Sequence, residues 1–535
     1  MNVSHSKIKT IKLIYGLILS SLFVIFILSL PHETPRVKGT EDDLGFFYIP
    51  MARDLAASYL GEESYQTRDY AWSFHGATYP AALLLGRKLL GPDDQWGYFN
   101  TAKIISALAG GSIILMIVLW LKLPAALLAF ITLLITPLFM ENAFSGGTDL
   151  IAVALVLWAG FFAWQPRLSK KRLLLSGILL AVAIDMRHEY IILLPFMFYF
   201  LWRKIRLYYN FDRTIWSIKH PTSLWFFIIP LLFLAFDLPN WNGAYNVAYK
   251  YKKGDALQQD LWPEWAFSNQ ATDDIEVTYH DYLISQSADK YPNIFTVLLD
   301  DPIGNFQIWL RDVGRGLYSL LTQWTLCFLA FFLVIFLIIS EPKWEGRVLT
   351  KLSFWALIAH YLFISSSGFF MDRYFLLEVV LLTIAGSAAV VTLISDRRRQ
   401  LLLPLVLIPF MIQGGMNTYD HLSEQLRYNG DKYLFYQEIV QAEPDQPHPI
   451  MLSRDPGIPF IADAEWHQFP KGLTDLHRYC LDREIRYIRW GTPEHSYREE
   501  WRYKLDDPLI ALPEFQLLDD TVGKLYYVND LTEDN

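Results

Sequence analysis

Eleven long apolar runs recur along this chain, and they constrain its fold more than any other feature. The first run is about 20 residues long, which is enough for a helix to cross a hydrocarbon core of roughly 30 Å. Hydrophobic residues make up 53% of the 535 residues, more than an ordinary soluble domain carries. The sequence therefore predicts an α-helical polytopic membrane protein whose first run is an uncleaved anchor. The predicted spans are 11–30, 102–121, 123–140, 149–164, 173–186, 190–202, 223–238, 316–340, 352–370, 374–395 and 401–416.

The basic residues predict the orientation of these spans. If the spans alternate simply, the clusters of Lys and Arg fall on one side of the membrane, which the positive-inside rule assigns to the cytoplasm. The N-terminus is then inside and the C-terminus outside, in the periplasm beyond a cytoplasmic (inner) membrane. The two short runs 173–186 and 190–202 could instead be halves of a hairpin. The clusters are Lys7-Lys9-Lys12, Arg167-Lys170-Lys171-Arg172, Arg203-Lys204-Arg206, Lys343-Arg347-Lys351 and Arg397-Arg398-Arg399.

The outer segments differ in kind. Apolar residues recur at helical spacing in 41–60, 77–91 and 294–313, which predicts amphipathic helices in the membrane interface. They belong to an outer loop, 31–100, and a large outer loop, 239–315, of a membrane domain that covers 1–416. From 417 to 535 the apolar density falls, which predicts a small extracytoplasmic α/β domain. Its predicted elements are strands 450–452, 485–490, 515–519 and 524–528, a turn at 521–523 and a helix over 473–483.

Charge and cysteine content exclude other classes. The formal net charge of −9, with basic residues placed at span ends, gives no basic patch for nucleic acid. The two cysteines, Cys327 in a span and Cys480 in the outer domain, cannot form an intrachain bridge in the predicted topology. The outer domain is therefore not built on disulfides.

Ionisable residues gather at the outer ends of the predicted spans. A carrier more often places its polar groups near the bilayer midplane, on broken helices, so this rim favours chemistry at the membrane surface. Asp42 and Asp43 also have a simpler interpretation, as caps of the helix that follows. Asp149, after Thr148, is likewise a good helix start, and Glu141 fits an ordinary interfacial acid. The rim residues are Asp42, Asp43, Glu141, Asp149, Asp185, Arg187, His188, Glu189, Asp237, Asp372 and Arg373.

Arg373 is the most informative cation of this rim. It lies at the outer end of a span, where the positive-inside bias and the N-terminal helix dipole both disfavour a positive charge. An anion should compensate it, either the neighbouring Asp372 or a bound phosphate. Arg187 and His188 raise the same question, and snorkelling of the side chains to the interface is the alternative.

Two further ionisable residues, His360 and Glu378, fall inside predicted spans. Such residues in hydrocarbon are costly unless they are paired. His360 is expected to form an interhelical hydrogen bond. Glu378, about one turn inside its span, is an additional site candidate.

Several short motifs, taken in order, resemble the GT-C glycosyltransferases. An acidic pair, here Asp42-Asp43 where the family has Asp-Glu, follows the first span and precedes a helix with Tyr48, Ala52 and Arg53. A second helix carries Tyr79-Pro80 after His75 and lacks the Lys-Pro-Pro of some members. Thr148-Asp149 opens a long span, Arg187-His188-Glu189 ends a Gly-containing span, and Asp372-Arg373-Tyr374 is similar to an Arg-Tyr motif before a late span. The enzymes related to protein O-mannosyltransferases and to the lipid A aminoarabinose transferase are the most similar members.

The resemblance implies an enzyme that uses a polyprenyl-phosphate-linked sugar as donor. The acceptor would be a lipid, glycan or protein of the cell envelope, and direct displacement would invert the anomeric centre. The resemblance makes Asp42 or Asp43 the general base, has Asp149 orient the acceptor or assist the base, and has Arg187 and Arg373 hold the phosphate. Some members use a divalent metal held by such carboxylates, and the sequence leaves metal use open because it has no His/Cys ligand spacing. The further substrate-binding candidates are Arg53, His75, Tyr79, His188 and Asp372.

Two other classes of function remain as alternatives. A polytopic transporter or flippase of lipid or sugar would need ionisable residues along a midplane path. A non-catalytic scaffold, in which the spans anchor the C-terminal domain, would leave the rim acids dispensable. The clustering of polar groups at one rim favours the glycosyltransferase.

Overall fold

Most of the described chain is α-helical, and a five-stranded sheet lies near its C-terminal end. Several predicted features lie outside the described residues: the span 223–238, most of the loop 239–315, the residues Asp42, Asp43, His75 and Asp237, and the side chain of Asp372. The computed structural model describes residues 5–30, 44, 48–61, 76–90, 96–164, 169–197, 199, 299, 302–321, 323–339, 345–365, 372–394, 403–426, 438–440, 449–453, 459, 462, 464–468, 476–490, 513–519 and 524–529.

Eight helices and a short 3-10 turn form the described N-terminal part. The predicted interfacial helices 41–60 and 77–91 correspond to α2 and α3. The helices are α1 His5–Ser29, α2 Ile49–Leu60, α3 Thr78–Leu90, α4 Trp96–Trp120, α5 Leu123–Leu134, α6 Pro137–Ser145, α7 Thr148–Trp164 and α8 Lys170–Met186, and the 3-10 turn is His188–Ile192.

The anchor helix α1 packs closely on α4. A Cβ atom added at Gly111 would come within 2.8 Å of the Ser20 hydroxyl and 2.7 Å of a Val24 methyl. Small residues at a helix interface let two backbones approach, which is how apolar helices gain packing energy when lipid is the solvent. Phe23 and Ile27 of α1 are buried as a result, whereas Ile14 and Ile25 on its other side are exposed, as expected for a lipid-facing surface.

The predicted span 123–140 is not one straight helix. It is divided into α5 and α6, which are bent by 72° to each other. The physical reason is Pro137 at the start of α6: a proline has no N–H to continue the hydrogen bonding of α5 and disfavours helical geometry in the preceding residue. Thr136 is accordingly extended, with φ −104° and ψ 108°.

Five more helices and a second 3-10 turn follow. The predicted interfacial helix at 294–313 lies in the structure as α9, with Phe306 and Leu310 exposed along one side. The predicted span over 316–340 is not one straight helix, because α9 ends and α10 begins within it at a bend of 104°. The elements are α9 Pro302–Leu321, α10 Trp324–Ile339, α11 Glu345–Ser365, the 3-10 turn Asp372–Phe375, α12 Leu376–Leu393 and α13 Leu403–Leu426.

The last of these helices crosses the predicted domain boundary at 416/417. α13 continues to Leu426, so the apolar run predicted its beginning but not its end. Residues 417–426 contain neither proline nor glycine, and a helix needs no apolar environment to continue through such a segment. Its polar half is held by His421, whose Nε2 lies 2.9 Å from Glu141 Oε2 of α6.

Three described helices are long and apolar enough to span a membrane, covering 10–29, 97–120 and 373–393, or up to five spans if each bent pair is counted as one. Shorter apolar helices cover 148–163 and 354–365. The multi-pass membrane character predicted from the sequence is therefore supported. The number of eleven spans and their sidedness stay predictions.

The described C-terminal segments form one mixed sheet with the strand order β2-β1-β3-β5-β4. β1 is parallel to β2 and β3, whereas β5 is antiparallel to β3 and β4. The four predicted strands are present, and β2 was not predicted because its short polar sequence lacks an apolar alternation. The predicted turn 521–523 lies outside the described residues. The elements are β1 Ile450–Ser453, β2 Glu465–Gln468, α14 Leu476–Asp482, β3 Ile485–Trp490, β4 Phe515–Asp519 and β5 Lys524–Val528.

Candidate active site

Three charged side chains from distant parts of the sequence meet where three helices begin or end. Asp149 lies in the first turn of α7, Arg187 directly follows α8, and Arg373 lies in the 3-10 turn before α12. One terminal nitrogen of Arg187 donates a hydrogen bond to Asp149 Oδ1, and Arg373 Nε lies 4.0 Å from Asp149 Oδ2. All three residues are buried. Two guanidinium groups therefore converge on one carboxylate, a pairing that the sequence analysis did not predict.

Two more residues complete this arrangement, which we call the Asp149 cluster: Asp149, Arg187, Arg373, Glu189 and Tyr374. The guanidinium carbons of Arg187 and Arg373 lie 5.1 Å and 5.7 Å from the centre of the Tyr374 ring, within the range of a cation–π interaction. Glu189 Oε1 lies 3.7 Å from Arg187 Nε. The cluster thus contains two acids and two arginines, in keeping with the rule that buried charges are paired.

The ion pairs keep Arg187 charged. Burial by itself lowers the pKa of the Arg187 guanidinium, but the nearby carboxylates of Asp149 and Glu189 raise it well above its ordinary value. A permanently charged, planar group with several N–H donors suits the recognition of a phosphate. Arg187 can therefore present a fixed positive charge in surroundings that exclude water.

A tight turn places Asp149 at the cluster. α6 ends at Ser145 and is followed by Gly146, whose φ of 79° is in the left-handed region that favours glycine. A Cβ atom at this position would lie 2.9 Å from the Cβ of Ala102 in α4. The Ser106 hydroxyl of α4 is 3.4 Å from the Gly147 carbonyl oxygen and donates to it. The start of α7 is therefore fixed against α4, and Asp149 with it.

Two tyrosines hold the same turn from the other side. The Tyr79 hydroxyl donates a hydrogen bond to the Gly146 carbonyl oxygen, and the Tyr48 hydroxyl lies 3.3 Å from Thr148 Oγ1. Their rings meet edge to face, 5.0 Å apart at 89°, a favourable arrangement for aromatic pairs. Burial, with Tyr48 and Asp149 nearby, raises the pKa of Tyr79 well above its ordinary value. Tyr79, a predicted substrate-binding residue, thus acts on the turn before Asp149 in this structure.

The structure places the other predicted residues as follows. Arg53 is partly exposed on α2, the helix that follows Tyr48, and His188 is partly exposed at the start of the 3-10 turn next to Arg187. The backbone of Asp372 begins the 3-10 turn that carries Arg373. Of the ten predicted site residues, Arg187 and Arg373 both contact Asp149, and Tyr79 supports the turn before Asp149.

Two other acids of the predicted rim have structural partners. Asp185 Oδ2 accepts a hydrogen bond of 3.0 Å from the backbone N–H of Thr78, at the start of α3. Glu141 is paired with His421. These contacts tie α8 to α3 and α6 to α13, so both acids connect helices around the cluster.

Sequence reasoning missed several residues around the cluster. It named Tyr374 and Glu189 within motifs but gave neither a role, and it did not consider Tyr190, which is buried in the 3-10 turn. Tyr190 stacks on His360 at 5.2 Å with an interplanar angle of 19°. The signal available in the sequence was adjacency, since Tyr374 and Glu189 lie within two residues of a predicted arginine. The expected interhelical bond of His360 is present, and its partner is Glu378.

Within the part of the chain that the structure describes, no group of three or more His, Cys, Asp or Glu side chains could hold a metal ion. The partners that the structure shows for the Asp149 carboxylate are guanidinium groups.

Residues 75–231 match the family model of the dolichyl-phosphate-mannose-protein mannosyltransferases. The predicted resemblance to GT-C glycosyltransferases is confirmed. The matched segment contains Tyr79, Asp149, Arg187 and His188, and Arg373 lies beyond it. A search of curated proteins found no match to the chain.

Solved structures of GT-C enzymes also resemble the chain. One is the archaeal oligosaccharyltransferase AglB from Archaeoglobus fulgidus in complex with an inhibitory peptide and a dolichol-phosphate, with 13% identity, a TM-score of 0.48, and coverage of 89% of this chain and 69% of that one. Another is ArnT from Cupriavidus metallidurans in the apo state, with 11% identity, a TM-score of 0.38, and coverage of 96% and 97%. The same protein bound to undecaprenyl phosphate has 12% identity, a TM-score of 0.37, and coverage of 96% and 97%.

Proposed function

We propose that this protein is an integral membrane glycosyltransferase that moves a sugar from a polyprenyl-phosphate donor to a cell-envelope acceptor, with inversion at the anomeric carbon. The observation that carries the proposal is the convergence of Arg187 and Arg373 on the Asp149 carboxylate. The family match over residues 75–231 supports the same reaction class. The active site is proposed to face the periplasm, in line with the positive-inside bias.

The two arginines would hold the phosphate that leaves the sugar. In the displacement, an acceptor oxygen or nitrogen attacks the anomeric carbon, the bond from that carbon to the phosphate oxygen breaks, and the phosphate keeps the electron pair. Negative charge thus grows on the phosphate, where fixed guanidinium groups stabilise it most effectively in surroundings without water. Guanidinium groups also fit phosphate oxygens in a bidentate manner.

Asp149 would keep both arginines in position. Two guanidinium groups buried side by side would repel each other without an anion between them. The contact of 4.0 Å between Arg373 Nε and Asp149 Oδ2 is an ion pair and too long for a hydrogen bond. Binding of a phosphate by Arg373 would therefore not have to break a short hydrogen bond to Asp149. Asp149 would in addition orient the acceptor or assist the general base.

The proposed general base is Asp42 or Asp43, which would take the proton from the acceptor hydroxyl or amine. Both precede Tyr48 by five or six residues, and Tyr48 contacts Thr148, the neighbour of Asp149. Five residues of chain extend at most about 18 Å. The length of chain between the acidic pair and Tyr48 therefore permits the proposed role, because Tyr48 contacts Thr148.

The proposal is tested by sugar transfer with full-length protein in vesicles supplied with an undecaprenyl-phosphate-linked sugar and envelope extract. We expect Arg187→Lys and Arg373→Lys each to lower the transfer rate about 10²-fold or more, the typical effect of removing one preorganised donor to developing negative charge. Asp42→Asn and Asp43→Asn, made singly, should identify the base as the one whose loss abolishes transfer.

Two matched controls separate this chemistry from folding. Arg87→Lys removes another buried guanidinium, which donates to the Tyr98 hydroxyl at 2.9 Å. Asp312→Asn removes another buried carboxylate, which is paired with Arg311 at 3.1 Å. Both controls should retain transfer. Full transfer by the Arg187 and Arg373 variants, or lipid transport across the vesicle without any transfer, would refute the proposal.

A further inference from the structure

A second buried pair lies behind the Asp149 cluster. His360 Nδ1 of α11 and Glu378 Oε1 of α12 are 2.5 Å apart, and both side chains are 1% exposed. The pair belongs to neither the arginines nor the carboxylate that the proposed chemistry uses. A buried ionisable pair is weak as a source of stability, because its desolvation offsets much of its attraction. The position of the pair suggests that it helps to position the two arginines.

His360 contacts the segment that carries Arg187. The imidazole stacks on the ring of Tyr190, with 5.2 Å between ring centres. Tyr190 lies three residues after Arg187 in the chain, and its backbone N–H donates to the Arg187 carbonyl oxygen at 3.1 Å. Movement of the imidazole would therefore shift Tyr190 and the backbone from which the Arg187 side chain extends.

Glu378 anchors the segment that carries Arg373. It lies in the first turn of α12, five residues after Arg373, and a carboxylate in this turn is favoured by the helix dipole. Between the two lie Tyr374, which contacts both guanidinium groups, and Phe375. The hydrogen bond from His360 to Glu378 and the stack of His360 on Tyr190 together link the chain segments that carry Arg187 and Arg373.

We propose that His360 and Glu378, with Tyr190, are positioning residues that set the separation of Arg187 and Arg373 and so tune the affinity for a lipid-linked phosphate. This inference rests on the proposed function. Bidentate binding of phosphate by two side chains requires a fixed geometry, and errors of about 1 Å at a reacting group can cost on the order of 10²-fold in rate. The three residues do not touch the donor themselves.

The first test measures the binding of undecaprenyl phosphate to the full-length protein in detergent, with tryptophan fluorescence as the signal. His360→Gln keeps a donor for Glu378 but removes the stacked ring, and Tyr190→Leu removes the ring from the other side. Each should weaken binding by about 2- to 30-fold, the usual effect of residues that act through a packed network. Tyr190→Phe keeps the ring and should bind as the wild type does.

A double-mutant cycle distinguishes positioning from a general structural role. If His360 acts through Arg187, then His360→Gln should have little further effect on binding in an Arg187→Lys background, because the group that it positions has changed. If the role is only structural, the two effects add. His421→Gln, in a partly exposed His–Glu pair between α6 and α13, is the matched control and should not alter binding.

Three results would count against the positioning role or against the function on which it rests. Wild-type affinity in Tyr190→Leu, or additive effects in the cycle, would overturn the positioning role even if the thermal stability falls. A variant of His360 that does not fold leaves Tyr190→Leu and Tyr190→Phe to decide. If Arg187→Lys itself binds undecaprenyl phosphate normally, the proposed function fails first, and the two failures are thereby distinguished.

Discussion

Replacement of Asp149 by asparagine is the perturbation with the most specific expected result. The variant keeps an amide oxygen that can accept from Arg187 but loses the negative charge shared by Arg187 and Arg373. At 4.0 Å and an effective dielectric constant of 20, one such attraction amounts to about 4 kcal/mol. Loss of one partner from a buried pair typically costs about 3–5 kcal/mol. Asp149→Asn should therefore destabilise the protein by several kcal/mol.

Asp149→Asn should also increase the stabilisation of the folded protein by a bound phosphate. If the two arginines hold the donor phosphate, a bound phosphate supplies the negative charge that the variant lacks. Undecaprenyl phosphate should then stabilise Asp149→Asn more than it stabilises the wild type. A ligand that binds only the folded state adds about 2.7 kcal/mol at a concentration of 100 times its Kd, so tighter binding by the variant appears as a larger shift.

The assay is thermal unfolding of the full-length protein in detergent, with and without undecaprenyl phosphate. Asp312→Asn is the control, because it also removes a buried carboxylate beside arginines but lies outside the cluster, and the lipid should not stabilise it more than the wild type. Equal shifts for the wild type and Asp149→Asn would show that phosphate does not take the place of this carboxylate. The reasoning about the arginines would then be refuted.

Four further predictions concern the supports of the site and the C-terminal domain. Gly146→Ala should destabilise the protein by about 1–2 kcal/mol, because its φ of 79° disfavours a side chain. The control Gly160→Ala, with no atom within 4 Å of the added Cβ, should be neutral or stabilising. Unfolding in detergent compares the two variants, and equal losses of stability would contradict backbone strain at Gly146. Tyr79→Phe should lower the free energy of unfolding by about 0.5–1.5 kcal/mol and also lower the rate of sugar transfer. Tyr59 is 80% exposed, so Tyr59→Phe should change neither quantity. Normal stability of Tyr79→Phe would contradict the role of the Tyr79 hydroxyl. Burial raises the pKa of Cys480 to about 12. In a variant whose other cysteine is replaced, this thiol should therefore react with maleimide at pH 8 only after unfolding. Rapid labelling of the folded protein would contradict its burial. Because the unfolded thiol has a lower pKa, ionisation of Cys480 should also reduce the free energy of unfolding as the pH rises above about 9.

The order of apolar runs was sufficient to predict the class of protein and the position of most helices. Helix α4 and the strands β3 and β5 lie where periodicity places them, because local burial patterns repeat with the geometry of each element. The bends in 123–140 and 316–340 were not predicted. Pro137 marks the place of the first bend, but the directions of α5 and α6 follow from their packing. Hydropathy reports the composition of a segment and not the direction of its helix axis.

The candidate site shows the same division between local and long-range information. Asp149, Arg187 and Arg373 could be selected from the sequence because each is a charged residue at a span end, where an uncompensated charge is costly. The pairing of both arginines with one carboxylate could not, because 38 residues separate Asp149 from Arg187 and still more separate it from Arg373. Only the packing of α7, α8 and α12 brings these residues together. The His360–Glu378 pair and its stack on Tyr190 likewise depend on which helix faces meet, a property that the tertiary structure decides because side-chain contacts between helices follow from their packing and not from local sequence.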